Sequence, residues 1–156
     1  MEELKHFLQM ARTVMEHQGF HLPQLIRMRN GKAELYTISE MDSENHKNRL
    51  EQMIVKFVDE GSDSICFISE AWSLPTEYFE TWKQYPSIHD NPHKVEILSA
   101  IYSTKSTEIH ASATINRNNN EVLLGEWQIT DLTGHQTMGR FTQFWEKARG
   151  KHYKDN

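Results

Sequence analysis

Cysteine occurs once in the 156 residues, as Cys66. A lone thiol cannot close an internal bridge, so a disulfide-built secreted scaffold is excluded. Its place inside an apolar run marks it as a small core residue rather than a reactive nucleophile. Glycine is sparse, seven copies scattered singly. No Gly-rich phosphate loop and no Gly-x-Ser-x-Gly elbow is therefore present. A long hydrophobic run is lacking as well, and Glu2, Glu3, Lys5 and His6 break up the first turn. The expectation is a chain with neither secretory leader nor membrane span, located in the cytoplasm. Basic residues are in deficit: the formal charge is −5 and the pI about 6.0. That argues against general nucleic-acid binding, which needs a basic face.

What is present is globular in proportion, 37% hydrophobic and 25% charged. The length suits one domain with a core of its own. We place an α+β domain over residues 1–150 and a basic, frayed tail over 151–156, where Lys151 and Lys154 follow Lys147 and Arg149. Acids outnumber bases between Glu34 and Glu80. Clustered there, they would make an acidic mimic surface, which spacing alone leaves open.

Leu4, Phe7, Leu8, Ala11, Val14 and Met15 recur at helical intervals, and Gly19 follows the stripe. Asn30-Gly31 between two short runs predicts a hairpin, because both residues tolerate positive φ. Ser43 before Glu44 is an N-cap signature for a helix with Leu50, Met53, Ile54, Phe57 and Val58 on its stripe. Residues 95–102 and 108–116 predict a second hairpin, and 122–129 a further strand. In the second of these, Glu108, His110, Ser112 and Thr114 alternate with apolar partners and face water or a partner. A last helix is expected over 139–149 on Phe141, Phe144, Trp145 and Ala148, and Trp127 and Trp145 belong to the main core. The order of elements predicts α+β: one mostly antiparallel sheet of about five or six strands, helices packed on one face.

The pivot is Ser64-Ile65-Cys66-Phe67-Ile68-Ser69-Glu70-Ala71-Trp72. It reads as a central strand, apolar on both faces, that carries a carboxylate and an indole at its far end. Ser73 to His93 follows, irregular and rich in aromatic residues; long irregular connections are functional or packed covers. The Ser-Glu-Ala-Trp strand end, Pro86-Ser87, and Pro92-His93-Lys94-Val95-Glu96 resemble segments of small bacterial and phage-encoded proteins. The resemblance covers the middle third of the chain. His93 stands where those proteins carry an acid. It implies a phage or mobile-element protein and places a site at Glu70, Trp72, Lys94 and Glu96, without implying a chemistry.

Two functions from different classes follow. The first is non-catalytic protein binding through Trp72, Tyr78, Phe79, Trp82, Tyr85 and Lys94, together with the open face of the Glu108–Thr114 strand. The partner is another protein or a second copy of the chain, through that face or a sheet edge. The second is a metal-assisted hydrolase. In it Glu70, Glu96 and His110 act at the strand ends, and zinc or manganese is held by His89, His93 and His110. Asp90-Asn91-Pro92 between the first two histidines disfavours the helix on which their spacing would serve a metal best. No cofactor is expected on the first reading. Glu70 also has a purely structural role open to it, accepting hydrogen bonds from loop amides and so pinning the Ser73–His93 segment.

Overall fold

The computed structural model describes residues 2–137 and 139–155, with side chains through Gly150. Helix α1 (Glu2–Gln18) buries Leu4, Phe7, Leu8, Ala11 and Met15, the stripe its spacing predicts. Strands β1 (Gln24–Arg29) and β2 (Lys32–Thr37) form the first hairpin. Its turn residues Asn30 and Gly31 take φ of 55° and 76°, the conformation that matches the twist of a two-residue loop. Helix α2 (Glu44–Asp59) starts where Ser43 Oγ accepts the His46 amide at 3.1 Å.

Strand β3 (Ser64–Ser73) lies between β1 and β4 (Val95–Thr104), so the pivotal run is central as expected. Strand β5 (Glu108–Asn118) continues the sheet in the order β2-β1-β3-β4-β5, every pairing antiparallel. The expected strand over 122–129 is two strands. β6 (Glu121–Leu124) pairs the far half of β5 and β7 (Gln128–Asp131) its near half. The break has a physical cause on α1. Arg12 donates to the carbonyls of Leu124 at 2.8 Å and Gly125 at 2.6 Å, while Glu16 accepts the Leu124 amide. Helix α1 thus takes up the backbone groups that would have continued the ladder.

The α+β class and the antiparallel sheet, curled as a half-barrel, stand as expected. The helices, however, lie on both faces of it, not on one. Helix α1 packs on Ile26, Cys66, Ile68, Leu98, Ala100 and Ala111. On the other side α2 packs on Leu25, Ile65 and Phe67, and helix α3 (Phe144–Asp155) joins that layer through Phe144. Neighbouring residues of β3 therefore serve different cores, which is why its run is apolar without alternation. Helix α3 begins five residues later than expected, because Gln143 takes a φ of 50° and closes the preceding turn. Its backbone runs on to Asp155, and the side chains of the expected basic tail, 151–156, lie outside the described residues.

Candidate functional site

Strand period and register build one rim of the molecule. Glu70 and Trp72 share the face of Cys66 and Ile68, and in the pairing of β3 with β4 Trp72 stands opposite Glu96, Glu70 opposite Leu98. The two carboxylates are thus diagonal neighbours, and Arg117 near the end of β5 clamps both. Its guanidinium reaches Glu96 Oε1 at 2.8 Å, Glu96 Oε2 at 2.9 Å and Glu70 Oε1 at 3.1 Å, and also donates to the Gly19 carbonyl at 2.9 Å. Glu70 Oε2 accepts the His21 amide at 3.0 Å. The carboxylate does accept from a loop amide, but from the α1–β1 loop rather than from the aromatic segment.

Hydrogen bonding from Arg117 holds the Glu96 carboxyl below the usual carboxylate range, against the opposing effect of burial; the guanidinium charge adds to it. A carboxyl held ionised in this way is the reverse of the raised acid that a two-carboxylate mechanism requires. It also fixes a sign. A group whose pKa is depressed by folding stabilises above its unfolded value, about 4.3, and loses that stabilisation as pH falls through the folded value. Arg117→Gln should therefore lower the urea midpoint at pH 7, with the gap to wild type closing toward pH 3. A gap that stayed constant across that range would remove the clamp from the account.

Beyond the rim the chain folds into two 3-10 segments, Thr76–Gln84 and Ile88–Asp90. Buried Asn91 holds them together. Its Nδ2 donates to Thr81 Oγ1 at 2.9 Å, its Oδ1 accepts the His93 amide at 2.9 Å, and Thr81 in turn donates to the Tyr78 carbonyl at 2.7 Å. Tyr78 stacks flat on His93, centroids 3.9 Å apart and planes 3° from parallel. Asn91→Ala removes both side-chain bonds and strands the partners, a loss of about 1–2 kcal/mol. Hydrogen exchange should then quicken over residues 76–93 and stay unchanged in α1 and β3. Uniform acceleration would mean that the segment does not open on its own.

The rest of the segment turns outward. Trp82 is 63% exposed, Phe79 54% and Trp72 41%. With Tyr85, Pro86 and Ile88 they line an open groove of about 1000 Å³. Neither 3-10 segment has a buried residue, so the cover is not a small core of its own. Lys94 Nζ lies 5.2 Å from the Trp72 ring and Lys83 Nζ 5.3 Å from the Trp82 ring. Of the residues expected at a docking face, Trp72, Phe79, Trp82 and Tyr85 line the groove. Lys94 sits at its edge, and Tyr78 is occupied by its stack on His93.

The expected histidines do not converge. His89 lies beside Trp72, ring centroids 6.2 Å apart, and His93 is under Tyr78. His110 is on the opposite face of the sheet, where its Nε2 meets Glu108 at 2.7 Å. Among the described residues no group of three or more His, Cys, Asp or Glu side chains could hold a metal ion. Glu70 and Glu96 meet each other through Arg117, and His110 is not with them.

The open sheet face is also corrected. Glu108 is only 6% exposed, because the turn before α3 closes over it. It accepts from Ser103 Oγ and from the Gln143 amide at 3.1 Å, besides its contact with His110. His110 and Ser112 are half-buried, and Thr114 alone of the set stays exposed. Cys66 is fully buried and burial pushes its thiol pKa up, as suits a core residue.

Sequence reasoning missed Arg117, although the two-residue period of β5 puts it on the core face after Ile115. It also missed a second arginine centre. Arg27, 5% exposed, bonds Glu34 at 2.6 Å and Glu60 at 3.2 Å and stacks 4.2 Å over Phe57.

A half-barrel sheet sandwiched by helices, with an arginine-clamped rim and an aromatic groove beyond it, defines a small single-sheet α+β protein with a ring-lined groove. The chain belongs to the family of bacteriophage lambda protein ea47, whose family model matches residues 1–155. The match bears out the phage character and extends it from the middle third to almost the whole chain. Neither the curated proteins nor the solved structures contain a match. No helix among the described residues is long and apolar enough to cross a membrane.

Proposed function

We propose that the protein acts by non-catalytic contact with another protein, docking through the aromatic groove. The observation that carries this reading is the exposure of Trp82 and Phe79 beside Trp72 in one groove. Large rings left in water on a chain with 37% hydrophobic residues are costly unless a partner covers them, and tryptophan and tyrosine dominate the residues that carry binding energy. The segment is built to hold them out. Its polar interior is bonded through Asn91 and Thr81, so the rings are not needed for its own packing. The sheet face contributes little, since Glu108 is covered. The hydrolase alternative gains no support, because among the described residues its histidines gather no metal-binding group and Arg117 occupies Glu70 and Glu96.

The test compares wild type with a Phe79→Ala, Trp82→Ala double variant in capture from infected-cell lysate. Both side chains are exposed, so melting temperature should be unchanged. Partners retained by wild type and lost by the variant support the reading; an identical captured set refutes this surface.

A further inference from the structure

The lysines at the groove say what chemistry the occupant carries. Lys83 and Lys94 each rest over an indole, and neither ammonium group has a hydrogen bond or an ion pair with any described residue. Elsewhere three arginines, Arg27, Arg117 and Arg140, each bridge two carboxylates. A cation held on a ring face is partly ordered before binding, so a carboxylate that meets it gives up less freedom than on a loose side chain. Lys83 lines the groove and Lys94 lies over one of its indoles, and the wall they adjoin includes Trp72, Phe79, Trp82, Tyr85, Pro86 and Ile88, a surface for apolar side chains.

We propose that the groove takes an extended acidic segment of a partner protein, an apolar side chain seated among the rings and flanking carboxylates on Lys83 and Lys94. This rests on the docking function proposed above. Single-stranded nucleic acid fits less well. Each lysine covers part of the indole face on which a base would stack, and Glu80, which lines the groove, repels a phosphodiester chain. Glu80 also opposes an acidic peptide, so its neutralisation has a defined sign.

The experiment pans a random dodecapeptide phage library against the full chain, with subtraction on Trp82→Ala. The enriched sequences are synthesised and titrated. The expected consensus sets Asp or Glu beside Leu, Phe or Trp. Binding should weaken roughly tenfold or more in Lys83→Glu, Lys94→Glu, tighten in Glu80→Gln, and fall with added salt. A Trp82-dependent consensus that is neutral or basic overturns the acidic occupant and leaves the docking function standing. No Trp82-dependent peptide at all overturns both. Tighter Trp82-dependent binding of fluorescein-labelled oligo(dT) would assign the groove to nucleic acid. Concentration-dependent self-association lost on Trp82→Ala would assign it to a second copy. Either of these last results overturns the proposal.

Discussion

Arg27→Ala is expected to lower the free energy of unfolding by about 3 kcal/mol, most of it packing lost over Phe57 and the rest the lost bonds to Glu34 and Glu60. For a chain of this size that corresponds to a fall in melting temperature of roughly 6–12 °C. The guanidinium performs two tasks at once. It lies over Phe57, 4.2 Å from the ring centroid, and so roofs the core between β1 and α2. It also gathers Glu34 from β2 and Glu60 from the end of α2, tying hairpin to helix. Alanine removes both contributions. Arg27→Met keeps the packing and removes only the charge. Arg29 still reaches both carboxylates, at 3.4 and 3.3 Å, and each remains about a third exposed, so water and Arg29 cover the loss. The methionine variant should therefore lose only about 1 kcal/mol. Equal losses in the two variants would show that packing on Phe57 contributes nothing.

Arg27 also shows why part of the fold was legible and part was not. The first hairpin followed from Asn30-Gly31 alone, because few residue pairs accept two successive positive φ values. The start of α2 followed from Ser43, whose hydroxyl does cap the helix. These signals are local, and the sequence carries them whole. The second core was present in the sequence too. Ile65 and Phe67 point away from Cys66 and Ile68, so a strand apolar on both faces requires cover on both. Strand count and antiparallel order come from short connections, but the split of β6 from β7 depends on Arg12 and Glu16, more than a hundred residues away.

The candidate site divides along the same line. The two-residue period placed Glu70 and Trp72 at one rim, and pairing brought Glu96 beside them. That Arg117 would stand between the carboxylates required the register of β5 on β4, which spacing alone does not supply. The alternation of Glu108, His110, Ser112 and Thr114 correctly put them on one face. Whether that face was wet depended on Thr133 and Gln143 reaching back to Glu108, and nothing periodic announces such contacts. The rings were legible by their place in the chain: Trp82, in the irregular segment, is exposed as a docking residue should be, and Trp127, on the expected strand, packs partly buried against the core.

Phe144→Ala tests how far the turn before α3 is integral to the fold. Phe144 is 1% exposed at the first turn of α3, and packs with Leu25, Leu50, Phe57 and Phe67. Truncating such a phenylalanine costs about 3–5 kcal/mol, transfer and cavity together. The neighbouring contacts make local collapse into that cavity difficult. Gln143 donates its amide to Glu108, and Lys147 Nζ caps the carbonyls of Gly139 and Arg140, with burial holding its pKa down. If these polar ties hold α3 in place, the cavity persists and the whole domain melts lower, by roughly 6–20 °C, in a single transition. If they do not, α3 detaches first. Exchange would then quicken in α3 and at the Glu108 end of β5 while β3 keeps its protection, and the melting temperature would move little. We expect the single transition, because releasing α3 would break the Gln143 bond to Glu108 and uncover Leu25, Leu50, Phe57 and Phe67, against which Trp145 also packs. The groove rings stand outside this network, so Trp82→Ala combined with Phe144→Ala should melt as Phe144→Ala does alone.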